Sequence, residues 1–178
     1  MSPLKPFEIA HKEIFMLHNL ISKFDDKVEG ASAHCDIPCG IYDARIVTYY
    51  AVSTLRQMDI LLGLKDKGLS DTAFAMQAAR NTAKKEEMAE NTKHQTRIIW
   101  GDFMKGDKLE KHPNAHELAH NIMLAASACK QDLHREDGVK LVDACNEFAE
   151  VFWDMKGIKT KKVVCPYEPK VEVVEPDL

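Results

Sequence analysis

One stretch of this chain concentrates metal-binding atoms: His34-Cys35-Asp36-Ile37-Pro38-Cys39-Gly40-Ile41-Tyr42-Asp43 places a histidine and two of the five cysteines within six positions. Thiolates are soft donors that suit copper(I), zinc, iron–sulfur centres and thiolate-bound nickel, and an imidazole beside them suits copper, nickel or zinc. The spacing narrows the choice. Cys35 and Cys39 are four apart, unlike the C-x-x-C of zinc ribbons or of thioredoxin-like redox pairs, and no second cysteine pair follows at finger-like distance. A structural zinc site therefore fits poorly. Pro38 and Gly40 pin the segment.

The segment resembles the N-terminal hook of nickel superoxide dismutases, whose pattern H-C-x-x-P-C-x-x-Y is matched without a gap by His34, Cys35, Pro38, Cys39 and Tyr42. The resemblance implies a superoxide dismutase that forms dioxygen and hydrogen peroxide by nickel(II)/nickel(III) cycling, with one nickel per subunit. It implies that His34 binds through its N-terminal amine and, in the oxidised state, its imidazole, Cys35 through its backbone nitrogen and sulfur, and Cys39 through its sulfur. Tyr42 matches the tyrosine that lines the open face of the metal, so His34 and Tyr42 are the expected catalytic residues. The family builds a four-helix bundle, assembles six subunits, and begins its mature chain at the hook histidine. Residues 1–33 would then be a leader removed by a maturation protease. Beyond the hook, Ile99-Trp100-Gly101-Asp102-Phe103 and Phe152-Trp153 resemble aromatic-rich segments of the later helices, and the likeness covers about residues 34–156.

The chain departs from the family in one place. Members commonly orient the axial imidazole through a glutamate on the first helix and an arginine on the second, and here those positions fall on Val47 or Tyr50 and near Met88. None of the three side chains can do that work; Glu86, Glu87 and Arg45 are the candidate substitutes.

The elements that must position the hook can be read from periodicity. Phe7, Ala10, Ile14, Leu17, Ile21 and Phe24 lay one apolar stripe along a helix, and the charged run Asp25 to Gly30 then reads as an exposed linker. Helical spacing continues over roughly 44–64, in a long second segment capped by Ser70 or Asp71, in a third helix opened by His112-Pro113, and in a fourth carrying Leu141, Val142, Cys145, Phe148, Ala149, Phe152 and Met155 with Gly157 as its cap. Residues 101–111 read as a loop. The buried face of the second helix is hard to assign, because Asn81, Lys85, Thr92 and Gln95 dilute its stripe. No alternating strand pattern competes within 44–157. The expected fold is all-α, an antiparallel four-helix bundle over 44–157, with the metal-binding hook at 34–43, a helical leader at 1–33 and an extended C-terminal tail at 158–178.

Composition bounds the function. With 178 residues, 45% hydrophobic and 29% charged, the sequence suits one globular domain, and a net charge of −4 argues against a nucleic-acid footprint. No run reaches the roughly 18 apolar residues of a membrane span. Five cysteines, with Cys129 and Cys145 on apolar helical stripes, do not make a disulfide framework, and reduced thiols suit a cytoplasmic protein. Cys165 beside Pro166 reads as an incidental thiol. His112, His116 and His120 recur every four residues as if on one helix face, but the ~12 Å they would span is too far for one ion to use all three. Two other functions compete with dismutation: a thiolate metal carrier of the thioredoxin type, which requires strands alternating with helices, and a non-catalytic helical interaction module.

Overall fold

The computed structural model describes residues 16, 18–20, 35–38 and 40–178. The chain divides into two compact units, Met1–His34 and Cys35–Leu178. In the first, Met16, His18, Asn19 and Leu20 are helical, and the residues of the expected apolar stripe lie outside the described ones.

The second unit holds the bundle. Helix α1 runs over Arg45–Leu62 and α2 over Asp71–Ile98; a short α3 covers Asp107–Lys111; α4 is Ala115–Gln131 and α5 is Arg135–Met155. The four long helices close a ring in which α1 packs on α2 and α5, and α4 packs on the same two. The connections at 63–70 and 132–134 are short, which sets the helices they join antiparallel, and the apolar stripes of α1, α4 and α5 meet in a common core around Leu55, Met58, Ile122, Leu141, Phe148 and Phe152, all fully buried.

Each boundary has a local cause. The Asp43 carboxylate accepts the Arg45 amide at 2.8 Å and so caps the exposed first turn of α1. Ser70, in extended conformation, accepts the Ala73 amide and opens α2. At the end of α5, Gly157 takes φ +70°, its amide bonds the Asp154 carbonyl at 2.8 Å and the Ile158 amide bonds the Trp153 carbonyl at 2.9 Å, which closes the helix as the sequence suggests.

The polar dilution of α2 has a structural answer. Its buried face includes Lys85, Met88, Ala89, Thr92 and Thr96. Thr92 and Thr96 return their hydroxyls to carbonyls one turn back at 2.9 and 2.8 Å, and the Lys85 ammonium donates to the carbonyl of Asp132 at 2.9 Å, at the C-terminal end of α4. These buried polar groups are satisfied locally or by a helix end, so the face can be buried without being apolar. Phe74, expected on the stripe, is 41% exposed.

Three segments differ from expectation. Residues 101–111 are not an irregular loop: Ile99–Phe103 form a π-helical turn, closed by the Met104 amide on the Ile99 carbonyl at 3.1 Å, and α3 follows. The third long helix opens at Ala115, so Pro113 lies before it rather than at its first position. Residues 158–178 are not a free tail. Thr160–Val164 (β1) and Glu172–Pro176 (β2) pair antiparallel, with Lys162 opposite Val174, and β2 packs on α5 and α1. Asn146 of α5 donates to the Glu172 carbonyl at 3.0 Å and accepts the Val174 amide at 2.9 Å, while Val173, Val174 and Cys165 are buried. The alternating valines and glutamates thus have a bundle face to pack on, which their sequence alone does not reveal. The all-α bundle carries a two-stranded appendix.

Candidate metal centre

Of the expected ligands, Cys35 is described, and His34 and Cys39 lie outside the described residues. Cys35 is half-buried and forms no disulfide. Between it and Tyr42 the chain reverses: the Ile41 amide donates to the Pro38 carbonyl at 3.2 Å, and Gly40 takes φ +90°, a backbone conformation costly for residues with a side chain.

Two later parts of the chain hold this loop. The carboxylate of Asp102, in the π-turn, accepts the backbone amide of Asp36 at 3.0 Å. The ammonium of Lys156, just past α5, donates to the backbone carbonyl of Tyr42 at 3.0 Å. Tyr42 itself is buried, with its ring 5.5 Å from that of Phe103; Phe103 lies 5.0 Å from Phe152, and Phe152 meets Trp153 edge-on at 4.9 Å. Lys156 sits 5.1 Å from the Phe152 ring centroid and Lys108 4.1 Å from that of Phe103. The base of the loop is therefore an aromatic floor with cations over it.

Neither Asp102 nor Lys156 stood out in the sequence. Asp102 lies within the aromatic-rich Ile99–Phe103 stretch, but a single aspartate there carries no signature, and Lys156 looks like any charge after a helix.

The positions expected to support the imidazole behave as their residue types dictate. Val47 is fully buried, Met88 is buried on α2, and Tyr50 packs edge-on against Tyr49 at 5.3 Å. Of the substitutes, Glu86 and Glu87 are exposed, Glu87 bonding Lys84 at 2.9 Å, and Arg45 is paired with Asp43. Burial alone would raise the Asp43 carboxyl, but its hydrogen bonds and charge contact with Arg45 outweigh that and hold it below its ordinary range.

The three histidines do not share a helix face. His112 precedes α4 and approaches the Asp154 carboxylate at 3.3 Å. His116 Nδ1 accepts the Trp100 indole N–H at 2.9 Å. An indole only donates, so neutral His116 carries its proton on Nε2, which leaves that nitrogen no lone pair for a metal. Among the described residues no three His, Cys, Asp or Glu side chains gather into a metal site. Cys129 and Cys145 are core residues; burial pushes the Cys129 thiol up to about 12 and the Cys145 thiol higher still.

The donor set fits nickel. Two thiolates and nitrogen donors from adjacent residues, as expected of His34, Cys35 and Cys39, would supply the sulfur-rich field a d⁸ ion favours and zinc does not.

A helical bundle with a turn carrying Cys35 ahead of its first helix defines the class, and comparison with known proteins defines the family. The sequence profile described as "Nickel-containing superoxide dismutase" matches residues 29–156. A "Superoxide dismutase [Ni]" of Streptomyces coelicolor is 32% identical over 125 residues, covering 70% of this chain and 89% of the relative. Its counterpart from Streptomyces seoulensis is 32% identical over 133 residues, covering 75% and 95%. The native structure of a nickel superoxide dismutase superposes with TM-score 0.60 at 31% identity, covering 70% of this chain and 99% of the other. An apo structure of a nickel superoxide dismutase gives 0.58 at 29% identity, covering 66% and 99%. The chain belongs to the nickel-containing superoxide dismutase family, and with it to the oxidoreductases. The hairpin at 160–176 lies beyond the matched region.

Proposed function

We propose that residues 34–43 form the nickel hook of a superoxide dismutase, with His34, Cys35 and Cys39 as ligands and Tyr42 beside the open face of the metal. The observation that carries this reading is the reversal of the chain between Cys35 and Tyr42, anchored on the bundle within a sequence that belongs to this family. Nickel held by two thiolates supplies a one-electron redox centre able to accept an electron from one superoxide and return it to the next. The chain's own part is to present the donors and admit only a small anion. His34 contributes an amine once residues 1–33 are removed, because the same nitrogen inside the Ala33–His34 peptide is a planar amide with a delocalised lone pair. The buried Tyr42 ring, packed on Phe103, fixes the wall past which superoxide enters.

Removal of the leader requires a protease that cuts the Ala33–His34 bond, just after the charged stretch Asp25 to Gly30. Assembly into homohexamers and a cytoplasmic location complete the reading: the family's hook stands at a subunit end, and the thiols Cys129, Cys145 and Cys165 stay reduced in the core. Among the described residues no helix is long and apolar enough to cross a membrane. The carrier alternative of the thioredoxin type is not favoured, since the sheet among the described residues is a two-stranded hairpin after the bundle.

The test is substitution of Cys35 or Cys39 by Ser in the protein beginning at His34. Both variants are expected to lose nickel and superoxide consumption, because an alcohol cannot replace the soft donor; dismutase activity surviving in either would overturn the assignment. Tyr42→Phe is expected to keep nickel and change turnover, since its hydroxyl is not a metal ligand in this reading.

A further inference from the structure

The loop that carries Cys35 is pinned at two backbone atoms, and the first pin is a carboxylate whose position depends on an unusual piece of helix. Asp102 Oδ2 accepts the Asp36 amide at 3.0 Å, 66 residues away in sequence. That amide belongs to the Cys35–Asp36 peptide, so the bond fixes the plane immediately after the thiol-bearing residue and restricts the ψ of Cys35. The second pin, Lys156 on the Tyr42 carbonyl, lies at the other end of the same loop. One anchor takes a donor and the other supplies one, and the Pro38–Ile41 turn lies between them.

Asp102 reaches this place because α2 ends in a π-turn. Closing the turn from Met104 to Ile99 adds a residue to the ordinary helical ring, and the segment presents Asp102 to Asp36 and Phe103 to Tyr42 together. On its outer side the same turn is held by Trp100 on His116. Single π-turns are rare and recur at functional sites.

We infer that Asp102 is a positioning residue for the nickel hook: its carboxylate sets the peptide plane that aims the Cys35 thiolate. This rests on the hook reading above. It requires no contact between Asp102 and the metal, and it supplies an organising contact from the bundle to the N-terminal half of the loop.

The test separates the two claims. In the full chain without metal, hydrogen exchange at the Asp36 amide, read by NMR, is expected to be slowed in the wild type and to speed up about tenfold or more in Asp102→Ala, because a charge-assisted bond is lost. In protein beginning at His34, nickel(II) affinity measured by chelator competition is expected to fall about tenfold, with a shifted thiolate-to-nickel absorption band. Asp102→Asn keeps an acceptor without the charge and is expected to fall between wild type and alanine on each readout, and it serves as the test variant if Asp102→Ala does not fold. Exchange at Asp36, or nickel affinity and absorption, unchanged in the variants would overturn the inference. Wild-type protein that binds no nickel through Cys35 and Cys39 would instead overturn the hook reading, whatever the exchange at Asp36.

Discussion

The ammonium of Lys156 donates to the backbone carbonyl of Tyr42 at 3.0 Å, joining the residue after the last bundle helix to the loop before α1, 114 positions earlier. The two ends of the bundle are thus fastened at the base of the loop that carries Cys35. Lys156 also lies over the rings of Phe103, Phe152 and Trp153 at 5.7, 5.1 and 5.8 Å, so its charge is held by the aromatic floor as well as by the carbonyl. Replacing it with Ala removes a charge-assisted hydrogen bond and the contact of the side-chain stem with three rings. A loss of about 1–2 kcal/mol is expected in urea denaturation, and Lys156→Arg should recover part of it.

Asp43 ties stability to pH. Its carboxylate both caps α1 through the Arg45 amide and pairs with the Arg45 guanidinium, and its pKa is lowered from the ordinary 3.8. A group depressed in the folded state stabilises the protein above its unfolded pKa, and that contribution is lost as the pH falls through the lower folded value. Asp43→Ala should cost about 1 kcal/mol near neutral pH. The gap between variant and wild type should shrink as denaturation is repeated below pH 4, and a constant gap would contradict the assignment.

Thiol reactivity should sort the cysteines. Cys129, Cys145 and Cys165 are buried with raised pKa values, whereas Cys35 is half-buried on the loop. An aromatic disulfide reagent at pH 8 is expected to modify Cys35 rapidly and the three core thiols only on unfolding. Nickel added to protein beginning at His34 should protect Cys35, which mass spectrometry of peptides would read directly.

The close approach of α1 and α5 depends on Gly138. A Cβ there would lie 2.8 Å from Leu55 Cδ1, 3.0 Å from Met58 Sδ and 3.4 Å from the Leu55 Cα. Leu55 and Met58 are fully buried, so making room for the methyl shifts core side chains. Gly138→Ala gains up to about 1 kcal/mol of helix propensity but overpacks the crossing at a cost of about 1–3 kcal/mol. Net destabilisation is expected, visible as a lower midpoint in thermal unfolding.

Much of this could be read in the sequence because the relevant signals are local. The stripes of α1 and α5 repeat at helical spacing, Ser70 and Gly157 have the chemistry of their caps, and the hook compresses its donors and turn residues into one stretch. What escaped depends on distant partners. Thr92, Thr96 and Lys85 look unsuited to a buried face until their hydroxyls return to their own helix and the lysine meets the end of α4. The hairpin at 160–176 needs Asn146 of α5 and a bundle surface before its valines read as strands. Asp102 and Lys156 matter through backbone atoms of residues 36 and 42, and no periodicity reports such contacts. His112 parts from His116 and His120 because α4 opens only at Ala115.

The central claim is that the hook becomes a nickel site when His34 is the first residue. The most direct measurement loads nickel into full-length protein and into protein beginning at His34, then compares superoxide consumption and metal content. The account predicts a single nickel per chain and rapid consumption only where His34 is N-terminal. Equal nickel content and equal rates in the two, with mass spectrometry confirming residues 1–33 still attached to the longer chain, would contradict it.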